Sequence, residues 1–182
     1  MHKINYNGLF HWLQGLPNVW VCTDDLWFNQ DDEEYVAYTD GSCDNLNRKR
    51  PGGAAYIIMR NNEIIRAKNK GFLGTSNNRT EMLAIISAVC YTPQGSRLDI
   101  YTDSQYSMDI FSGKCNPKKN KDLVEMFKKY AKPMKLIVFH WIKGHNGDKY
   151  NEMVDKMAYS AYKEIIAKHN IPEGKYVKGG FK

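Results

Sequence analysis

The chain has 182 residues, 42% of them hydrophobic, which is enough for one domain with a sizeable core plus short appendages. Lys and Arg number 26 against 20 Asp and Glu, and the resulting formal charge of +6 suits a polyanionic partner without specifying one. No apolar run approaches the roughly 18 residues that span a bilayer, no charged-then-apolar leader opens the chain, and Cys22, Cys43, Cys90 and Cys115 are too scattered for a zinc cluster, so the expectation is a cytoplasmic protein with free thiols.

Residues 1–33 carry Phe10, Trp12, Trp20, Trp27 and Phe28 and close in the acidic run from Asp31 to Glu34. The segment is too short for an ordinary independent domain and too aromatic for a disordered tail, so it is expected to pack on the main body as an extension. The main domain is expected over 34–170. Residues 35–43, 53–60 and 63–73 are β-rich, and Asn61-Asn62 signals a turn, which predicts a three-stranded antiparallel meander. Residues 78–89 place Met82, Ile85, Ile86 and Val89 at helical spacing and stop before Pro93-Gln94-Gly95. A short strand over 98–102 follows. Ser104 can cap a helix running to about residue 111, where Ser112-Gly113 ends it. Residues 122–130 read as a helix, 136–142 as a strand, and 149–168 as a long last helix with an apolar stripe through Met153, Met157, Ala161 and Ile165. The order βββαβααβα predicts an α/β fold, a five-stranded mixed sheet with helices on both faces. Residues 171–182 mix Gly174, Gly179 and Gly180 with three lysines and read as a flexible basic tail.

Two strands present acids in the same wording: Tyr38-Thr39-Asp40-Gly41-Ser42 and Tyr101-Thr102-Asp103-Ser104. If those strands are neighbours, the two Cα atoms lie roughly 5 Å apart, and like charges that close call for a divalent ion or a shared proton. Glu81 falls in the first turn of the first helix, and Asp155 lies one turn beyond Asn151 on the last. Singly, each acid also reads as a turn, a cap or a solvated helix charge. Together they form an oxygen-only ligand set that suits Mg²⁺ or Mn²⁺ rather than zinc. Two such ions can activate a water and stabilise the leaving oxygen of a phosphodiester, so no protein nucleophile is required.

The blocks Tyr38-Thr39-Asp40-Gly41-Ser42-Cys43, Ser76-Asn77-Asn78-Arg79-Thr80-Glu81, Tyr101-Thr102-Asp103-Ser104-Gln105-Tyr106, Trp141-Ile142-Lys143-Gly144-His145-Asn146-Gly147 and Asn151-Glu152-Met153-Val154-Asp155 stand in the order of, and resemble, ribonuclease H type 1. The likeness covers about residues 35–168. It implies an endoribonuclease that hydrolyses the RNA strand of RNA–DNA hybrids with two metal ions and leaves 5′-phosphate and 3′-hydroxyl ends. Asp40 would bridge both ions, Asp155 would serve one of them, and Glu81 with Asp103 the other. His145, in a glycine-flanked loop, would assist product departure or proton traffic near the leaving group.

The resemblance further implies that Cys43, Asn77, Asn78 and Gln105 read the minor groove, with Asn45 or Asn47 able to join them, and that Ser76 and Asn77 meet a phosphate of the DNA strand. Asn151 joins the expected nucleic-acid contacts. Many bacterial relatives carry a Trp- and Lys-rich helix and loop after the second helix; here residues 111–120 are too short for it, so that basic handle is expected to be absent. Lys114, Lys118, Lys119, Lys121, Lys128, Lys129 and Lys132 still form a basic patch, which reads equally as a solvated face. The expected partner is a hybrid duplex, bound by a monomer. An inactive hybrid-binding module, a resolvase- or integrase-like nuclease and a domain of a reverse transcriptase are the competing readings.

Overall fold

The structure, a computed structural model, describes residues 3–6, 9–22, 35–144 and 147–175. Three short strands come first: β1 (Lys3–Tyr6), β2 (Leu9–Trp12) and β3 (Val19–Cys22). The antiparallel meander follows as β4 (Tyr35–Cys43), β5 (Gly52–Arg60) and β6 (Glu63–Phe72). Then come α1 (Asn77–Tyr91), β7 (Arg97–Thr102), α2 (Gln105–Phe111), α3 (Lys121–Ala131), β8 (Leu136–Trp141) and α4 (Lys149–Lys168). Each predicted element from residue 35 onward is present within a residue or two of its expected ends, the uncertainty inherent in fraying termini.

The strand count differs from expectation. One eight-stranded sheet runs in the order β1-β2-β3-β8-β7-β4-β5-β6, and the three added strands come from the N-terminal segment. Strand β3 pairs in parallel with β8, Val19 opposite Ile137 and Cys22 opposite His140. Asn18 fixes the junction: its amide donates to the carbonyls of Ala131 at 2.9 Å and Met134 at 2.7 Å, and its own carbonyl accepts from Ile137 N at 2.8 Å. Val19 is fully buried, and burying a valine contributes on the order of 2 kcal/mol. A four-residue strand offers too few alternations to be read from sequence, and its partner lies more than a hundred positions away. Of the aromatic residues noted there, Trp27 and Phe28, with the run 31–34, lie outside the described residues.

The sheet buries its two faces differently. Ala37, Ile58, Leu98, Ile100, Ile137 and Phe139 pack against α1 and α3 in the larger core. On the opposite face α4 covers β4, β5 and β6. Its deepest seam runs through Val154, Ala158, Ala161 and Tyr162, so that Ala161 is buried as expected while Met153, Met157 and Ile165 flank the seam half-buried. Small residues decide this: a Cβ on Gly53 would lie 2.1 Å from the Ala158 carbonyl, so helix and strand meet backbone to backbone there. The expected flexible tail is anchored at its start, because Ile171 is buried and Gly174 N donates to Tyr162 Oη at 2.9 Å, while 176–182 lie outside the described residues. No helix among the described residues is long and apolar enough to cross a membrane.

Candidate metal centre and substrate face

Strands β4 and β7 run parallel, with Tyr38 opposite Tyr101, and their rings stack at 4.9 Å. Two residues further on, each strand delivers an acid to the same side of the sheet: Asp40 while β4 is still paired to β5, and Asp103 just past the end of β7. The repeated Tyr-Thr-Asp wording is therefore one geometric unit used twice. Glu81 arrives from the other layer. Ser76 caps α1 by accepting from Arg79 N at 3.3 Å, which places Glu81 in the second turn, and Gly41 lets that turn press on β4. A Cβ at position 41 would stand 2.4 Å from Glu81 N and 2.5 Å from Thr80 Oγ1.

The outcome is a cluster in which Asp40, Glu81 and Asp103 each offer a carboxylate oxygen, all within 4.8 Å of one another. Asp40 is 2% exposed and Glu81 8%, so mutual repulsion is poorly screened by water. Three neutral donors reach the cluster. Gly41 N donates to Asp40 Oδ1 at 2.8 Å, Asn77 Nδ2 to Glu81 Oε1 at 2.8 Å, and Ser104 Oγ to Glu81 Oε2 at 2.5 Å. Three oxygen acids so placed fit a hard divalent cation, which neutralises them without demanding nitrogen or sulfur ligands. Asp155 does not belong to this tight set. It sits half-buried on α4, the helix packed over β4, one turn beyond Asn151.

Sequence reasoning missed two roles. Ser104 was read as a helix cap, and it does accept from Ser107 N at 3.3 Å, but its single proton goes to Glu81, so the 2.8 Å contact between the Ser104 and Ser107 hydroxyls is donated by Ser107. Asn77, half-buried and expected to face the groove, also orients Glu81, and its own N–H donates to Asn45 Oδ1 at 3.3 Å. The Ser after Asp103 and the Asn four residues before Glu81 are the available signals.

The remaining expected residues divide by exposure. Ser76 is half-buried, Asn78 is exposed, and both line a groove of about 730 Å³ with Arg50, Lys118 and Lys119. Arg79 also lines it, held in a two-pronged pair to Asp122 at 2.7 and 3.0 Å. Gln105 is exposed and donates to Asp109 Oδ1 at 2.7 Å. Cys43 and Asn151, at 4% exposed each, lie beneath the surface; burial pushes the Cys43 thiol up to about 11. Asn47 is taken up by its own turn, accepting from Lys49 N at 2.9 Å. The lysine patch separates, since Lys128, Lys129 and Lys132 line a different crevice beside Leu16 and Pro17. His145 and Asn146 lie outside the described residues, but Gly144 is packed against Asp103, where a Cβ would be 2.7 Å from Oδ2. Residues 112–120 contain no helix, so α2 and α3 are joined directly, without a handle.

A family model described as RNase H matches residues 32–163. The chain belongs to the ribonuclease H family. It is 36% identical over 136 residues to a ribonuclease H of Nitratidesulfovibrio vulgaris, covering 67% of this chain and 85% of that protein. A ribonuclease H of Neorickettsia sennetsu is 37% identical over 142 residues, covering 69% of this chain and 91% of the relative. A ribonuclease HI of Vibrio parahaemolyticus is 34% identical over 137 residues, or 68% and 86% of the two chains. The match to the ribonuclease H model begins only at residue 32, so the strands β1 to β3 are an addition to the part that this family shares.

Proposed function

We propose that this chain is an endoribonuclease that hydrolyses the RNA strand of RNA–DNA hybrids, with residues 34–170 as its catalytic domain. The observation that carries the reading is the convergence of Asp40, Glu81 and Asp103 within 4.8 Å, in a chain of the ribonuclease H family. The chemistry supplied by bound Mg²⁺, with Mn²⁺ able to substitute, is activation of a water and stabilisation of charge on the leaving oxygen. Asp40, Glu81, Asp103 and Asp155 are the residues that would hold the ions. Asn77 and Ser104 keep the Glu81 carboxylate turned toward the cluster. His145, the residue after Gly144, would serve product departure or the proton of the leaving group. Hydrolysis leaves a 5′-phosphate and a 3′-hydroxyl.

Ser76, Asn77, Asn78 and Gln105 form the surface that meets the duplex, reading 2′-hydroxyls and a phosphate, and Cys43 and Asn151 back that surface from below. The protein acts as a monomer, and its free cysteines suit the reducing cytoplasm. A cleavage panel of hybrid, RNA duplex and DNA duplex with Mg²⁺ or Mn²⁺ tests this: only the RNA of the hybrid should be cut, and Asp40→Asn should cut nothing. Preference for DNA duplex, or full activity of that variant, overturns the reading.

A further inference from the structure

A second surface adjoins the proposed substrate face. Between the N-terminal strands and α2 lies an open crevice of about 270 Å³, walled by Phe10 and Trp12 on one side and Gln105, Met108 and Asp109 on the other, with Lys114 at its edge. It lies toward the same end of the sheet as the acid cluster. Gln105 directly follows Ser104, whose hydroxyl is bonded to Glu81. Cys22, which also lines it, ends β3 opposite His140 of β8, one residue short of the level where Trp141 faces Thr102. The crevice thus opens at the end of the sheet that carries Asp103.

The crevice is also rigidly built. The turn after β2 docks on the link after α2: a Cβ on Gly113 would lie 2.4 Å from both the Cα and the N of Gly15, and one on Gly15 would lie 2.2 Å from the Ser112 carbonyl. Two glycines are needed for that approach, and Gly113 further adopts a φ of 80°. Trp12 packs against the main core while still lining the crevice. Such a wall loses little entropy on binding, because it is ordered beforehand.

We propose that this crevice is an added nucleotide subsite, which takes a sugar and phosphate of the bound hybrid beyond the nucleotides at the acid cluster. The proposal rests on the hybrid reading above. Flat apolar rings suit the face of a sugar or base, as in other nucleic-acid grooves. Lys114 supplies the cation. Its present partner is Asp109, at 3.2 Å, with the Lys114 side chain 42% exposed, and an ion pair that open to water is worth little, so a phosphate can replace it at small cost. Asp109 keeps the Gln105 amide as a second donor when the lysine turns away.

The test uses the full chain carrying Asp40→Asn, so that no strand is cut, and a labelled 20-base-pair RNA–DNA hybrid without divalent metal. In that background Phe10→Ala weakens hybrid binding about tenfold, the loss of one stacking contact. Lys114→Ala reduces the slope of log affinity against log salt by about one, the signature of one phosphate contact. Both are compared by melting temperature with their parent, and should Phe10→Ala not fold, the salt slope of Lys114→Ala decides. Unchanged affinity with an unchanged slope overturns the subsite. If the parent itself does not bind hybrid, and the unmutated enzyme does not cut it, the hybrid reading is what fails.

Discussion

Gly41 and Glu81 touch through their backbones: a Cβ on the glycine would stand 2.4 Å from the glutamate N–H nitrogen. The first turns of α1 sit directly on β4 because one residue of the strand has no side chain. Glu81 thereby reaches a carboxylate that belongs to the neighbouring layer of the fold.

Gly41→Ala is expected to push α1 away from β4 and to carry Glu81 with it. The cost in stability is that of overpacking, about 1–3 kcal/mol, read as a lower urea midpoint. The loss of activity should exceed what instability explains, because the misplacement falls on a proposed metal ligand. A variant that cuts hybrid at the normal rate while well folded would show that the contact does not position Glu81.

Asp40→Asn should separate charge from fold. Asparagine keeps an oxygen for the 2.8 Å bond from Gly41 N while removing one of three crowded charges. Without metal its melting temperature should therefore equal or exceed that of the parent. With millimolar Mg²⁺ the parent should gain stability through binding linkage and the variant should not. Equal gains in both chains would remove Asp40 from the ligand set.

Ser104→Ala removes the 2.5 Å bond to Glu81 and the hydroxyl that caps α2. Loss of the cap costs about 1 kcal/mol. Loss of the outer support of a ligand lowers metal affinity about 10- to 100-fold, visible as a higher Mg²⁺ requirement for cleavage. Ser104→Thr keeps the hydroxyl and should restore much of the lost metal affinity, which a purely structural role would not predict.

Beneath the sheet's opposite face, Asp99 is 0% exposed and accepts from Arg97 Nε at 2.9 Å and from His140 Nε2 at 2.7 Å. Burial by itself draws the His140 imidazole down, but the Asp99 carboxylate and the Cys22 thiol outweigh it and lift the group from 6.5 to about 9. The folded state thus binds a proton more tightly than the unfolded chain. The stability this contributes is complete below about pH 6.5 and is lost as pH rises through about 9. Urea midpoints of the parent minus those of His140→Gln should shrink across that window; a difference independent of pH would mean the histidine is neutral. Asp99→Ala, which strands a buried arginine, should cost about 3–5 kcal/mol.

Most elements could be read from the sequence because they are written locally. Helical spacing of Met82, Ile85, Ile86 and Val89 fixes α1, and Asn61-Asn62 fixes the β5–β6 turn, where both residues adopt a positive φ. The candidate acids could also be picked out, since Tyr-Thr-Asp recurs on two strands and the motif blocks stand in family order. What could not be read was proximity. Val19 and Val21 reveal themselves as a strand only against β8, and Asp99, in a segment that reads as a short apolar strand, is tolerable inside because it pairs with Arg97 and with His140, which lies opposite Tyr101, stacked on its ring at 4.5 Å. Likewise the bonds from Asn77 and Ser104 to Glu81 depend on which side chains the layers bring together. Periodicity and turn chemistry act over a few residues and so are carried by the chain itself; the pairing of distant strands and the crowding of charges depend on packing, which only the folded molecule defines.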